Sequence, residues 1–310
     1  MKGVHFFGGR SSPINPAPAD AHVMFEDIIL EDKSIMNSIN KISLFLMVLL
    51  LLLPTGFCAN ISSAQNYEYT NPLNYWERGS ELVDKSQYDE AIDNFSKAIK
   101  LNKGEITIEN IANIYHSRGL AYMKKKQFKE AIDDFNNALK INPAKPEVYN
   151  SLGLAYSMMN KYDEAIRNFD KAVELDSKSA TYYQNRGLTY SKTQDYDRAL
   201  QDFSKAVALD PKRTSPYIGR GVVYKNKKMF NEALREFDSV LAMYPNDFLA
   251  NFHKGCVFSL MNKVDEACKL LESAVRDGAS RWPAMKNNIR SNPDFDNIRN
   301  STCFKKIASE

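Results

Sequence analysis

Apolar and polar positions alternate at helical spacing from residue 72 onwards, and the blocks they form are themselves repeated. Around Gly119, Tyr115, Gly119 and Tyr122 stand at i, i+4 and i+7, on one face of a helix. Ala131, Phe135 and Ala138 carry the same spacing on a second helix, after the polar run Lys124-Lys125-Lys126. The whole block, Ser117–Pro143, returns at Ser151–Lys171 and again at Asn185–Pro211. Each copy predicts two helices and a turn, with small residues where the backbones approach and aromatic rings between them.

Aligned on the glycine, the copies fall at Gly79, Gly119, Gly153, Gly187, Gly221 and Gly255. The interval is 34 residues after a first gap of 40. Alanine follows at Ala91, Ala131, Ala165, Ala199, Ala233 and Ala267, then Phe95, Phe135, Phe169, Phe203, Phe237 and Leu271. A closing proline is in register only at Pro143, Pro211 and Pro245. A fixed period of this length means stacked supersecondary units, because one helix pair cannot bury its own apolar face. The six extra residues of the first gap fall in Lys103–Ile111 and predict a longer first helix at Ile108–Lys125.

The period, the Gly-x-x-Tyr pairs (Gly119/Tyr122, Gly153/Tyr156, Gly187/Tyr190, Gly221/Tyr224), the Ala-x-x-x-Phe-x-x-Ala spacing and the proline resemble the tetratricopeptide repeat over residues 72–281. That resemblance implies an all-α fold: a right-handed superhelix of helix-turn-helix units at 72–105, 112–145, 146–179, 180–213, 214–247 and 248–281. The apolar residues of 282–310, from Trp282 to Ile307, predict a helical cap over the last unit. The resemblance also implies a concave groove lined by first helices. Position by position this gives Trp76 and Ser80, His116, Asn150, Gln184, Ile218 and Val222, and Phe252. Leu120, Leu154 and Leu188 lie in the same row and are expected to pack against the next unit. Such a groove holds a protein or peptide segment. The positions of the family's basic carboxylate clamp hold Trp76, Ser80, Ser117, Glu147 and Ser151, so no clamp for an acidic chaperone tail is expected.

The N-terminal part has a different character. Residues 1–35 lack a sustained pattern and read as a disordered extension, with Met36 as the functional start. Ile42–Leu53 is almost unbroken apolar sequence, too short for a membrane span of about 20 residues and suited to a signal peptide. Residues 36–64 are therefore read as an export signal, with an uncleaved anchor through residues 42–59 or lipid attachment at Cys58 as alternatives, and 65–71 as a linker. Asn71 before Pro72 suits an N-cap and first helical position.

Charge and chemistry narrow the function. A net charge of +3 offers no nucleic-acid footprint. Acidic pairs such as Asp133-Asp134 recur at repeat positions, as helix starts and surface pairs do, and no catalytic motif is present. Arg78, Arg118, Arg186 and Arg220 precede the glycine; a basic column for an anionic partner is one reading, and pairing with acids such as Asp134, Asp202 and Glu236 is the expected one. Cys256 and Cys268 are expected to lie near each other on antiparallel helices; helix packing, a disulfide and, with His253, a metal remain open there, with Cys303 unpaired. The expectation is a non-enzymatic scaffold without cofactor or metal, binding a protein or peptide, not nucleic acid, and exported or membrane-tethered. An accessory subunit that recruits an envelope enzyme and a cytosolic adaptor are the alternatives. Oligomeric state is left undecided.

Overall fold

The computed structural model describes residues 71–278 and 285–309. The expectations for 1–35, for the export signal, anchor or lipid site within 36–64, for the linker up to residue 70 and for Trp282 lie outside the described residues. Twelve helices form six consecutive antiparallel pairs. They are α1 (Pro72–Asp84) with α2 (Tyr88–Leu101), α3 (Ile108–Lys124) with α4 (Phe128–Ile141), and α5 (Pro146–Met158) with α6 (Tyr162–Leu175). Then come α7 (Ala180–Lys192) with α8 (Tyr196–Leu209), α9 (Thr214–Asn226) with α10 (Phe230–Met243), and α11 (Phe248–Leu260) with α12 (Val264–Gly278). No described residue is in a strand, and each second helix packs on its own first helix and on that of the next pair. The fold is an all-α superhelical array.

Local chemistry sets the boundaries. Asn71 caps α1 by accepting from the Leu73 amide at 2.9 Å, with Pro72 in the first turn, where no donor is needed. α3 has 17 residues where the other first helices have 13, so the inserted segment does lengthen it. Thr107 caps its start, and Ile106 of the connecting loop is buried in the first core cluster. Inside every pair the turn has one geometry. The residue at the αL position is Ser86, Lys126, Asn160, Gln194, Lys228 or Asn262, and the following amide returns to the carbonyl five residues back, as in Gln127 N to Tyr122 O at 2.9 Å.

The core repeats with the sequence. Phe95, Phe135, Phe169, Phe203 and Phe237 are fully buried, each with the alanines that flank it on its helix, save that Val240 stands in for the second alanine beside Phe237. The glycine of the first helix is what admits the ring: a methyl group on Gly119 would sit 2.5 Å from the Phe135 ring, and one on Gly221 equally close to Phe237. In pair six the partner is Leu271, and the space at Gly255 relaxes to 3.3 Å.

After the sixth pair come α13 (Met285–Ser291), a 3₁₀ turn (Pro293–Phe295) and α14 (Thr302–Ser309). Met285, Ile289, Phe295, Ile298, Phe304 and Ile307 form one buried cluster with Phe252, Cys256 and Leu271, so this segment caps the last pair. Cys268 of α12 is disulfide-bonded to Cys303 of α14. The suggested Cys256–Cys268 bridge is therefore corrected. Cys256 is a free, buried thiol that faces Asn292 of the cap, while Cys268 lies on the side of α12 against which α14 packs. The bridge also takes Cys268 out of any metal-ligand set with His253 and Cys256.

Candidate functional site

Successive first helices approach one another directly, α1 with α3, α3 with α5, α5 with α7, α7 with α9 and α9 with α11. No two successive second helices come as close. First helices thus line the inner side of the array.

Polar side chains stitch that inner side together. His116 Nε2 lies 2.9 Å from Ser151 Oγ, Asn185 Nδ2 donates to Asn150 Oδ1 at 2.8 Å, and Ser215 Oγ donates to Gln184 Oε1 at 2.6 Å. Each bond joins one first helix to the next. His116 also leans on the Phe135 ring at 5.5 Å between centroids, and burial pulls its pKa below the ordinary histidine value. It is a neutral member of this ladder at neutral pH.

Beside the ladder runs an apolar row. Leu120, Leu154 and Leu188 are 41%, 36% and 43% exposed, so they do not pack beneath the next pair as expected from the sequence. They stand at the same place on three adjacent helices, and exposed Met158 lies one turn beyond Leu154. Helical spacing says that these leucines share a face with the histidine and amides. Whether the neighbouring helix covers them depends on how far the pairs rotate past one another, which no single repeat encodes.

The other groove residues divide. Ser80 is exposed but spends its hydroxyl on the Trp76 carbonyl, and half-buried Trp76 packs on the first core cluster. Ile218 and Val222 are half-buried against the Phe237 cluster. Phe252 is corrected: at 2% exposure, edge-on to Phe295 at 5.8 Å, it is covered by the cap and open to no partner. The structure thus brings His116, Asn150 and Gln184 together with the leucines, and separates Trp76 and Ser80 at one end from Phe252 at the other.

The arginines do not form a free basic column. Arg118 makes a two-pronged pair with Asp134 at 2.7–2.8 Å and also donates to Ser96 of the preceding pair. Arg186 does the same with Asp202 and Asp170, whereas Arg220 gives a single bond to Glu236 and one to Ser204. Each guanidinium ties its own second helix to the previous one, which fixes the stacking distance. Burial raises the carboxyl pKa of Asp134 and Asp202, opposed by the arginine each one holds. Arg78 instead pairs with Glu81 along its own helix.

Family models described as "TPR repeat" and "Tetratricopeptide repeat" match residues 119–160, and residues 74–105, 146–179 and 180–213, respectively. A tetratricopeptide repeat protein from Parabacteroides merdae superposes with a TM-score of 0.58 at 17% identity, covering 77% of this chain and 97% of that one. A chain of the APC/C hetero-tetramer Cut9–Hcn1 gives 0.58 at 13% identity over 80% of this chain and 44% of its own length. YrrB, described as a TPR protein with an unusual peptide-binding site, gives 0.49 at 23% identity, covering 61% of this chain and 94% of that one. No curated protein matches the chain. The two likenesses at 0.58 agree on the fold.

Proposed function

We propose that this tetratricopeptide-repeat chain is a non-enzymatic scaffold whose inner face, over the second to fourth pairs, holds a segment of another protein. The observation that carries the reading is the row of exposed Leu120, Leu154 and Leu188 beside an ordered polar ladder. Aliphatic side chains left in water on three neighbouring helices are an unfavourable surface until a partner covers them. Amide and hydroxyl groups alongside supply hydrogen bonds to a peptide backbone. The remaining units act as the frame that holds these three in register, six units in all.

The same proposal places the chain in an oxidising compartment, reached through its apolar N-terminal segment or tethered by it. The Cys268–Cys303 bridge supports this, because disulfides persist in oxidising surroundings and are uncommon among cytosolic proteins. Alkylation without reductant, followed by intact mass, tests it on protein taken from its own cells: blocked Cys268 and Cys303 are expected, and three modified thiols at Cys256, Cys268 and Cys303 would sink it.

Mild crosslinking in the native cells tests the scaffold itself, beside a variant carrying Leu120→Ser, Leu154→Ser and Leu188→Ser. These side chains are exposed, so the variant keeps its helices. A protein captured by the unaltered chain and lost from the variant is the expected result. Identical capture by both would move binding off this face.

A further inference from the structure

The exposed leucines belong to a larger grid. One turn before each stands His116, Asn150 or Gln184, and one turn after stands Lys124, Met158 or Lys192. The inner face of the second to fourth pairs is thus three rows across three helices: polar, aliphatic, then cationic with Met158 between the two lysines. Lys124 and Lys192 are exposed, and no carboxylate lies within ion-pair distance of either among the described residues. Several other cations near this face are spent. Arg118 and Arg186 are held by buried aspartates, Lys145 by Glu109 and Glu147, Lys125 by Asp89, and Lys225 by Asp294 of the cap. Lys192 Nζ stands over the Tyr162 ring, 5.8 Å from its centre. On the grid itself no acid offsets the lysines, and Glu147, at the far end of α5, already faces Lys145.

We propose that this grid selects an extended, acidic and aliphatic segment of a partner protein, a proposal that rests on the groove reading above. Aliphatic side chains of the segment lie on Leu120, Leu154 and Leu188. Its carboxylates meet Lys124 and Lys192, and Met158 adapts to whatever passes between them. The ladder amides take the backbone. Helices packed about 8–10 Å apart make the leucine row roughly 20 Å long, the reach of about six extended residues. The cap limits the footprint from the other side: Phe252 and Cys256, which continue the first two rows on α11, are covered by Phe295 and Asn292.

Fluorescence anisotropy with two labelled probes tests this on the full chain. One probe alternates leucine with glutamate; the other has glutamine in place of every glutamate. The glutamate peptide is expected to bind about ten-fold more tightly, with an advantage that shrinks with added salt and vanishes in the Lys124→Gln, Lys192→Gln double variant. Both lysines are on the surface, and unchanged circular dichroism verifies the fold. Equal affinity for the two probes overturns the inference, as does an acid preference that survives the double substitution, or no binding by either probe. If both probes bind equally and both are lost from the triple-serine leucine variant, the acidic specificity fails while the groove reading stands.

Discussion

The middle of the array and its C-terminal end solve the same packing problem with different materials. In the second, fourth and fifth pairs, a buried phenylalanine lies against a glycine, and an arginine ties two successive second helices. Those groups come from the repeat itself, so each of these pairs braces the one before it. In the sixth pair, phenylalanine gives way to Leu271, and Lys254 reaches back only to Asp238 of the preceding pair. Support there comes from sequence outside the period: α13, the 3₁₀ turn, α14 and a disulfide. A repeat can stabilise its interior by copying itself, but a final face needs residues of another kind.

Four measurements press on that contrast. Phe135→Ala empties the centre of a middle pair and is expected to cost about 3–5 kcal/mol in denaturant unfolding; a loss below about 1 kcal/mol would mean that the pair does not depend on its ring. Cys303→Ser should cost about 3 kcal/mol under non-reducing conditions and nothing once reductant is present. If the two proteins unfold alike without reductant, the cap holds by apolar contact alone.

The third measurement uses pH. Burial pushes His253 down to about 4, with Lys225 nearby acting in the same direction, and its Nδ1 has no hydrogen-bond partner. The unfolded chain takes up that proton near pH 6.5, so stability is full above this value and falls as pH drops toward 4. About 2 kcal/mol should be lost between pH 7 and pH 5 from this group, and His253→Gln should flatten that part of the curve. His116, shifted the same way in the middle of the array, adds a slope of the same sign. An unchanged slope in the variant would remove His253 from the account.

The smallest effect is the most direct comparison. Gly119→Ala must displace the Phe135 ring and should destabilise by about 1–2 kcal/mol, despite the better helix propensity of alanine. Gly255→Ala meets Leu271 at 3.3 Å and the Ala267 carbonyl at 3.5 Å and should be close to neutral. Equal losses at the two sites would erase the distinction between middle and end.

How much of this was readable in advance follows the same division. The second-helix core was legible because Ala131, Phe135 and Ala138 sit in water in no arrangement of the pair, and the arginine pairs followed from their fixed offset to an acid. The apolar residues of the cap were legible as a class. The Cys268–Cys303 bridge was not, since it joins a repeat position to a segment without period, and proximity on antiparallel helices favoured Cys256 instead. Exposure of Leu120, Leu154 and Leu188 was missed for a related reason. Periodicity assigns a side chain to a helix face, while its cover depends on the rotation between pairs. Phe252 was misread in the opposite sense: its row is open in the middle of the array and closed at the end.

The bridge between α12 and α14 also decides how the protein carries load. Tension applied beyond Cys303 enters α12 at Cys268 through covalent bonds and bypasses the span between them, a sequence separation of 35. While the bridge is oxidised, α13 and the 3₁₀ turn are out of the line of force and keep their fold as the chain is pulled. Reduction places that span in series and adds up to about 120 Å of slack at this end.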